Sequence, residues 1–108
     1  MKIAVPSKEK TLESELDERF ARAAYFLVYD TENESYEFFS PDNSQEHGAG
    51  TKIVNELSER GIDAVISKNV GENALTALKA ANIKAYIASD GNVKENIDLL
   101  KSEKLQEF

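Results

Sequence analysis

The sequence predicts an α/β domain, a mixed five-stranded sheet with helices on both faces. Two observations predict it. Up to residue 41 the apolar residues come in short strand-like blocks, and from about Thr51 they recur at helical spacing between further short apolar runs. The second is an internal repeat: LSERGIDAVIS (57–67) aligns with LKAANIKAYIA (78–88) at an offset of 21 residues. Each copy reads as a helix end, a left-handed cap and a buried strand. This is how successive βα units obeying the same packing rules look, and two short copies do not make a solenoid.

Taken in order, KIAVP (2–6) is a buried strand ended by Pro6. Residues 7–17 are polar and form a loop, and DERFARAA (17–24) is a short helical turn carrying Phe20 inward. YFLVYDT (25–31) and YEFFSP (36–41) flank the turn cluster ENES and read as a β-hairpin. Ile53, Val54 and Leu57 share one helical face, and Gly61 ends that helix at positive φ. IDAVIS (62–67) is a strand. A helix from about Glu72 buries Ala74, Leu75, Leu78 and Ala81 and ends at Asn82. IKAYIA (83–88) is the last strand, and Val93, Ile97 and Leu100 mark the last helix. The tail KSEKLQEF is a frayed end with Leu105 and Phe108 docking. Right-handed crossovers then give strand order 3-2-1-4-5 with the second strand antiparallel to the rest, the arrangement of ribonuclease H-like folds.

Composition narrows the function. A length of 108 residues fits one domain, 1–108. No apolar run approaches the roughly 20 residues that span a bilayer, and MKIAVPSKEK is too soon polar for a signal peptide, so a cytoplasmic protein with no membrane partner is expected. The chain has no cysteine, which excludes disulfides, thiolate zinc and a four-cysteine iron–sulfur site. Thirteen basic against 20 acidic side chains give a net charge of −7, which disfavours nucleic acid as a partner.

In an open α/β sheet, ligands collect beyond the carboxyl ends of the parallel strands. That edge gathers Ser7 and Lys8, then Lys68, Asn69, Gly71 and Asn73, then Asp90 and Gly91. The second and third segments lead into helix N-termini, where free N–H groups attract anions, and Gly71 and Gly91 let backbone approach a ligand. The serine, asparagines, aspartate and glycines among them are also ordinary cap or turn residues. No phosphate-loop or dinucleotide fingerprint is present. The first strand offers no acid for a two-metal nuclease site, and neither cysteine nor a GxSxG elbow accompanies the single histidine, so an enzyme is not expected.

That histidine, His47, sits in QEHGAGTKIV (45–54) between polar residues and the glycines Gly48 and Gly50. It is either a solvated loop residue or a ligand. One neutral imidazole is too little for a tight metal site, so whatever it binds must bring most of its own ligands. A preassembled metal cluster, or an anionic cofactor held by backbone N–H groups, meets that condition.

The opening KIAVPS, the segment DERFARAAYFLVYD, the EHGAG loop before a helix, and the units GIDAVISKNVGENALTAL and NIKAYIAS together resemble the dinitrogenase iron–molybdenum cofactor biosynthesis family over nearly the whole chain. The resemblance implies a ribonuclease H-like domain, some of whose members carry or insert the nitrogenase cofactor or its precursor. Family members often show His-Phe-Gly-x-Ala before the second strand. Here RFARA stands, with Arg19 in place of the histidine and Ala21 in place of the glycine. Arg19 cannot coordinate a metal, but its guanidinium can pair with an anionic cluster or a carboxylate.

The expectation is a non-enzymatic carrier of an iron–molybdenum or iron–sulfur cluster. His47 is its metal ligand; Gly48, Gly50, Asn69, Gly71 and Gly91 shape the pocket, and Arg19 and Lys68 offset ligand charge. Cofactor-assembly proteins are the expected partners, and the chain is a monomer or weak homo-oligomer. The competing reading is a protein-interaction or regulatory module with no cofactor, built on the acidic surface and the hairpin aromatics Tyr36 and Phe38 or Phe39.

Overall fold

Strand β1 (Lys2–Ser7) is buried from Ile3 onward, and its side chains divide between the two faces of the sheet. Ile3 and Val5 point one way and Ala4 the other. The structure, a computed structural model, describes residues 1–41 and 49–108. The other strands are β2 (Tyr25–Asp30), β3 (Tyr36–Phe39), β4 (Ala64–Ser67) and β5 (Lys84–Ile87). They form one sheet in the order β3-β2-β1-β4-β5, as expected. β2 runs antiparallel to both its neighbours, and β4 and β5 run parallel to β1.

Helices α1 (Ala49–Glu59) and α2 (Glu72–Ala80) cover one face. Ile53, Val54 and Leu57 of α1 and Ala74 and Leu78 of α2 pack with Ala4, Phe26, Val65 and Ala85. Helix α3 (Val93–Lys101) covers the other face, placing Val93, Ile97 and Leu100 against Ile3, Val5, Leu27 and Ile66. Fully burying one such Leu or Ile stabilises the fold by about 1.5–3 kcal/mol, so the helical spacing read in the sequence carries much of the core. Leu75 and Ala81 are only partly buried, at the margin of that face.

The repeat is structural. Gly61 has φ 75° and Asn82 has φ 60°. Ile62 N–H donates to Leu57 O at 3.1 Å, and Ile83 N–H donates to Leu78 O at 2.9 Å. Both copies end their helix with the same left-handed cap and backbone bond, and each turns directly into a strand.

Three further expectations change. Pro6 does not end β1, which continues through Pro6↔Phe26 to Ser7↔Tyr25. The Pro6 carbonyl accepts from Asp17 N–H at 3.0 Å, on the side away from β2, so the missing proline N–H removes nothing from the β1–β2 ladder. The 17–24 segment is a turn at residues 21–22 rather than a helical one, though Phe20 is buried as predicted. The C-terminal tail is not frayed: Ile87 N–H donates to Gln106 O at 2.7 Å and Phe108 N–H to Ala85 O at 2.9 Å, so the tail covers the outer edge of β5. Leu105 and Phe108 pack against the two cores.

Candidate functional site

At the carboxyl end of the parallel strands, two hydroxyls shape the loops. Ser7 and Ser67, both fully buried, end β1 and β4. Each donates to the carbonyl two residues on, Ser7 to Glu9 and Ser67 to Asn69, turning the chain out of the sheet. The chain after Ser67 then reaches α2, and its loop faces the 17–24 segment, where Asn69 Nδ2 lies 3.5 Å from Glu18 O.

Between these segments is a cleft of about 450 Å³ whose lining includes Arg19, Gly50, Asn69, Gly71 and Asn73 together with two acids, Glu18 and Glu72, the latter in the first turn of α2. The first turns of α1 and α2 meet here. A Cβ on Gly50 would stand 3.1 Å from Ala74 Cβ, a tight contact, so glycine at 50 suits the close approach of the two helix starts. No acid occupies the first turn of α1.

The starts of α2 and α3 differ in what satisfies them. At α3, Val93 N–H and Lys94 N–H donate to Ser14 O and Leu12 O, both at 3.0 Å. Asn92 and Glu95 complete a capping box. At α2, Gly71 is the N-cap and provides no side-chain cap. Leu75 N–H bonds to Gly71 O, and the N–H groups of Glu72, Asn73 and Ala74 have no protein partner among the described residues. Open donors and the positive end of the helix dipole therefore coincide at α2 and not at α3.

One wall of the cleft is held by Asp17, whose side chain is 5% exposed. Its carboxylate accepts from Arg19 N–H (3.0 Å), Arg19 Nε (3.2 Å), Arg19 Nη2 (3.2 Å) and Ala24 N–H (3.1 Å). Burial pushes this carboxyl upward, but the hydrogen bonds from Arg19 and Ala24 outweigh it and hold the group below the ordinary aspartate value. The Arg19 guanidinium stays largely exposed although Asp17 already matches its charge, so it keeps N–H groups available for a further acceptor.

The predicted site residues separate into three groups. Arg19, Gly50, Asn69 and Gly71 come together on the cleft. Lys68 and Gly91 do not line it. Lys68 is exposed. It lies near Glu15, whose carboxyl is held low first by its hydrogen bond from Lys8, then by the charges of Lys8 and Lys68. Gly91 belongs to the turn into α3, at φ 123°, where a Cβ would stand 3.2 Å from the Glu95 carboxylate. The strap of residues 12–17 ties that turn to β1, and the positive φ accounts for the glycine. His47 and Gly48 lie outside the described residues.

Sequence reasoning placed Asn73 at this edge but missed Asp17 and the part played by Ala74. Asp17 had a signal: an aspartate whose side chain accepts from the N–H two residues on is a common turn former. The Gly50–Ala74 approach had none, because it joins residues from separate helices.

Comparison with known proteins agrees with this fold. A solved NMR structure of a candidate NifB protein from Thermotoga is 42% identical, covering 98% of this chain and 91% of that one, with a TM-score of 0.86. The apo form of the orange protein from Desulfovibrio gigas is 27% identical, covering 99% and 92%, with a TM-score of 0.93. An uncharacterized protein from Methanocaldococcus jannaschii is 28% identical, over 100% of this chain and 92% of that one. The sequence pattern of one family matches residues 1–103, and on that match the chain belongs to the dinitrogenase iron-molybdenum cofactor family.

Proposed function

We propose that the protein is a non-enzymatic carrier that holds a preassembled metal cluster, the iron–molybdenum cofactor or an iron–sulfur precursor, and passes it between cofactor-assembly proteins. The sheet order and strand directions support assigning it to the ribonuclease H-like class. The observation that carries the reading is the cleft at the start of α2: the three residues with open N–H groups, Gly50 of α1 and Arg19 line one space. Among the described residues no group of three His, Cys, Asp or Glu side chains is placed to hold a metal ion. A cluster carrying its own sulfides and anionic ligands suits such a donor set better than a bare ion, because amides and a guanidinium bind anionic surface rather than metal. Family membership and the similarity to an apo-form structure support the same reading.

His47 supplies the direct metal ligand in this proposal. It is three residues from Gly50, so covalent geometry limits the separation of their Cα atoms to about 11 Å. Arg19 and Asn69 donate to the cluster surface, and Gly71 leaves it room. Glu18 and Glu72 oppose the negative charge and make release possible.

The test is anaerobic incubation with isolated iron–molybdenum cofactor and, separately, with a soluble iron–sulfur cluster, followed by gel filtration and metal analysis. Wild type is expected to retain metal with the protein, and His47→Ala to retain roughly tenfold less. Equal retention removes His47 from the site. No retention by wild type from either source removes the carrier reading.

A further inference from the structure

The two edges of the sheet are unequal. β5 is covered by the C-terminal tail, while β3 has no strand beyond it among the described residues. Asp30 N–H donates to Ser35 O at 2.9 Å, which makes 30 and 35 a hydrogen-bonded pair. The β2–β3 register continues from it as Tyr29↔Tyr36, Val28↔Glu37, Leu27↔Phe38 and Phe26↔Phe39. Antiparallel pairs alternate, so Glu37 and Phe39 bond to β2, and Tyr36 and Phe38 turn their N–H and C=O groups to the open edge. Their rings form an edge-to-face pair at 6.1 Å, and Tyr36 is 51% exposed.

The charge along this edge selects its occupant. Asp30, Glu32, Glu34 and Glu37 lie on the hairpin. Glu37 meets Arg60 at 3.5 Å, but Arg60 is shared with Glu56, and Glu34 reaches Lys101 only at 3.9 Å. No ion pair forms at Asp30 or Glu32 among the described residues. A second copy of the chain fits poorly. Pairing Tyr36 with Phe38 of a copy about a two-fold axis sets Glu37 against Glu37, and it joins two chains of charge −7. We infer that the β3 edge is a docking surface for an extended, lysine- or arginine-bearing segment of another polypeptide, which adds as a sixth strand. Main-chain bonds to Tyr36 and Phe38 supply its affinity, and the hairpin acids supply its charge preference. This surface is separate from the cleft and does not depend on whether a cluster is carried.

The test uses isotope-labelled full-length protein and two synthetic ten-residue peptides, one alternating valine with lysine and one alternating valine with glutamate. The lysine peptide is expected to raise hydrogen-exchange protection of the Tyr36 and Phe38 amides roughly tenfold at saturation, and the glutamate peptide to leave them unchanged. Tyr36→Pro removes one outward N–H at a position where an edge strand tolerates proline, and it should abolish the protection at Phe38. If that variant does not fold, Glu32→Lys with Glu37→Lys should weaken binding of the lysine peptide roughly fivefold or more. Equal protection by both peptides, wild-type binding by either folded variant, or protection that rises with protein concentration in the absence of peptide would overturn the proposal.

Discussion

Asp17 and Arg19 form a closed pair at the wall of the cleft: one buried carboxylate receives the backbone N–H, the Nε and an Nη of the same arginine, all within 3.2 Å. With the bond from Ala24 N–H, the carboxylate ties together both ends of the 17–24 turn. The pair thus orients the arginine and shapes the turn that carries it.

Asp17→Asn should therefore destabilise the protein by about 2–4 kcal/mol, because the amide sets an N–H₂ among groups that donate. Urea unfolding at pH 7 measures this. The carboxyl is held low in the folded state, so the unfolded state binds more protons and stability rises with pH. The contribution is complete above the unfolded value of about 3.9 and is lost as pH falls through the lower folded value. The stability gap between wild type and Asp17→Asn should narrow below pH 4. A gap that does not change with pH would count against the pairing.

Gly50→Val places a branched side chain where even a Cβ stands 3.1 Å from Ala74 Cβ. It should cost about 1–3 kcal/mol by overpacking the start of α1 against α2. Thermal unfolding should report a fall of roughly 4–8 °C per kcal/mol. An unchanged midpoint would mean that the two helices separate without cost.

Gly71→Leu should separate binding from stability. Gly71 has φ −63°, which any residue adopts, and a Cβ there meets nothing within 4 Å. Leucine is a poorer N-cap than glycine, so the variant should lose only about 1 kcal/mol of stability. It should nevertheless retain less cluster in the anaerobic assay, since its side chain stands at the open amides of α2. Wild-type retention would place the cluster elsewhere.

Asn96 is fully buried and binds the turn before α3. Its Oδ1 accepts from Ser89 N–H at 2.8 Å, and its Nδ2 donates to Ser89 O at 3.1 Å and Asn92 O at 3.0 Å. Asn96→Leu, of similar size, leaves those groups unpaired and should cost roughly 2–3 kcal/mol. Exchange at the Ser89 amide should quicken, whereas the amides of α2 should keep their wild-type rates.

The sequence by itself determined the sheet and its covering. Apolar spacing in IKAYIA and in Val93-Ile97-Leu100, and the shared rule of Gly61 and Asn82, depend on neighbours within one turn or one strand, and such local periodicity is written into adjacent residues. Pro6 was misread because its fate depends on which side of β1 its missing N–H faces, a matter of pairing with Asp17 rather than of local preference. The candidate site was legible only in part, since its chain segments were named but not sorted. Tertiary structure alone decided that Gly50 meets Ala74, that the strap of residues 12–17 uses the amides of α3 and leaves those of α2 open, and that Arg19 arrives already bound to Asp17. Each of these is a contact between distant stretches of chain, set by packing in three dimensions, which no single stretch encodes.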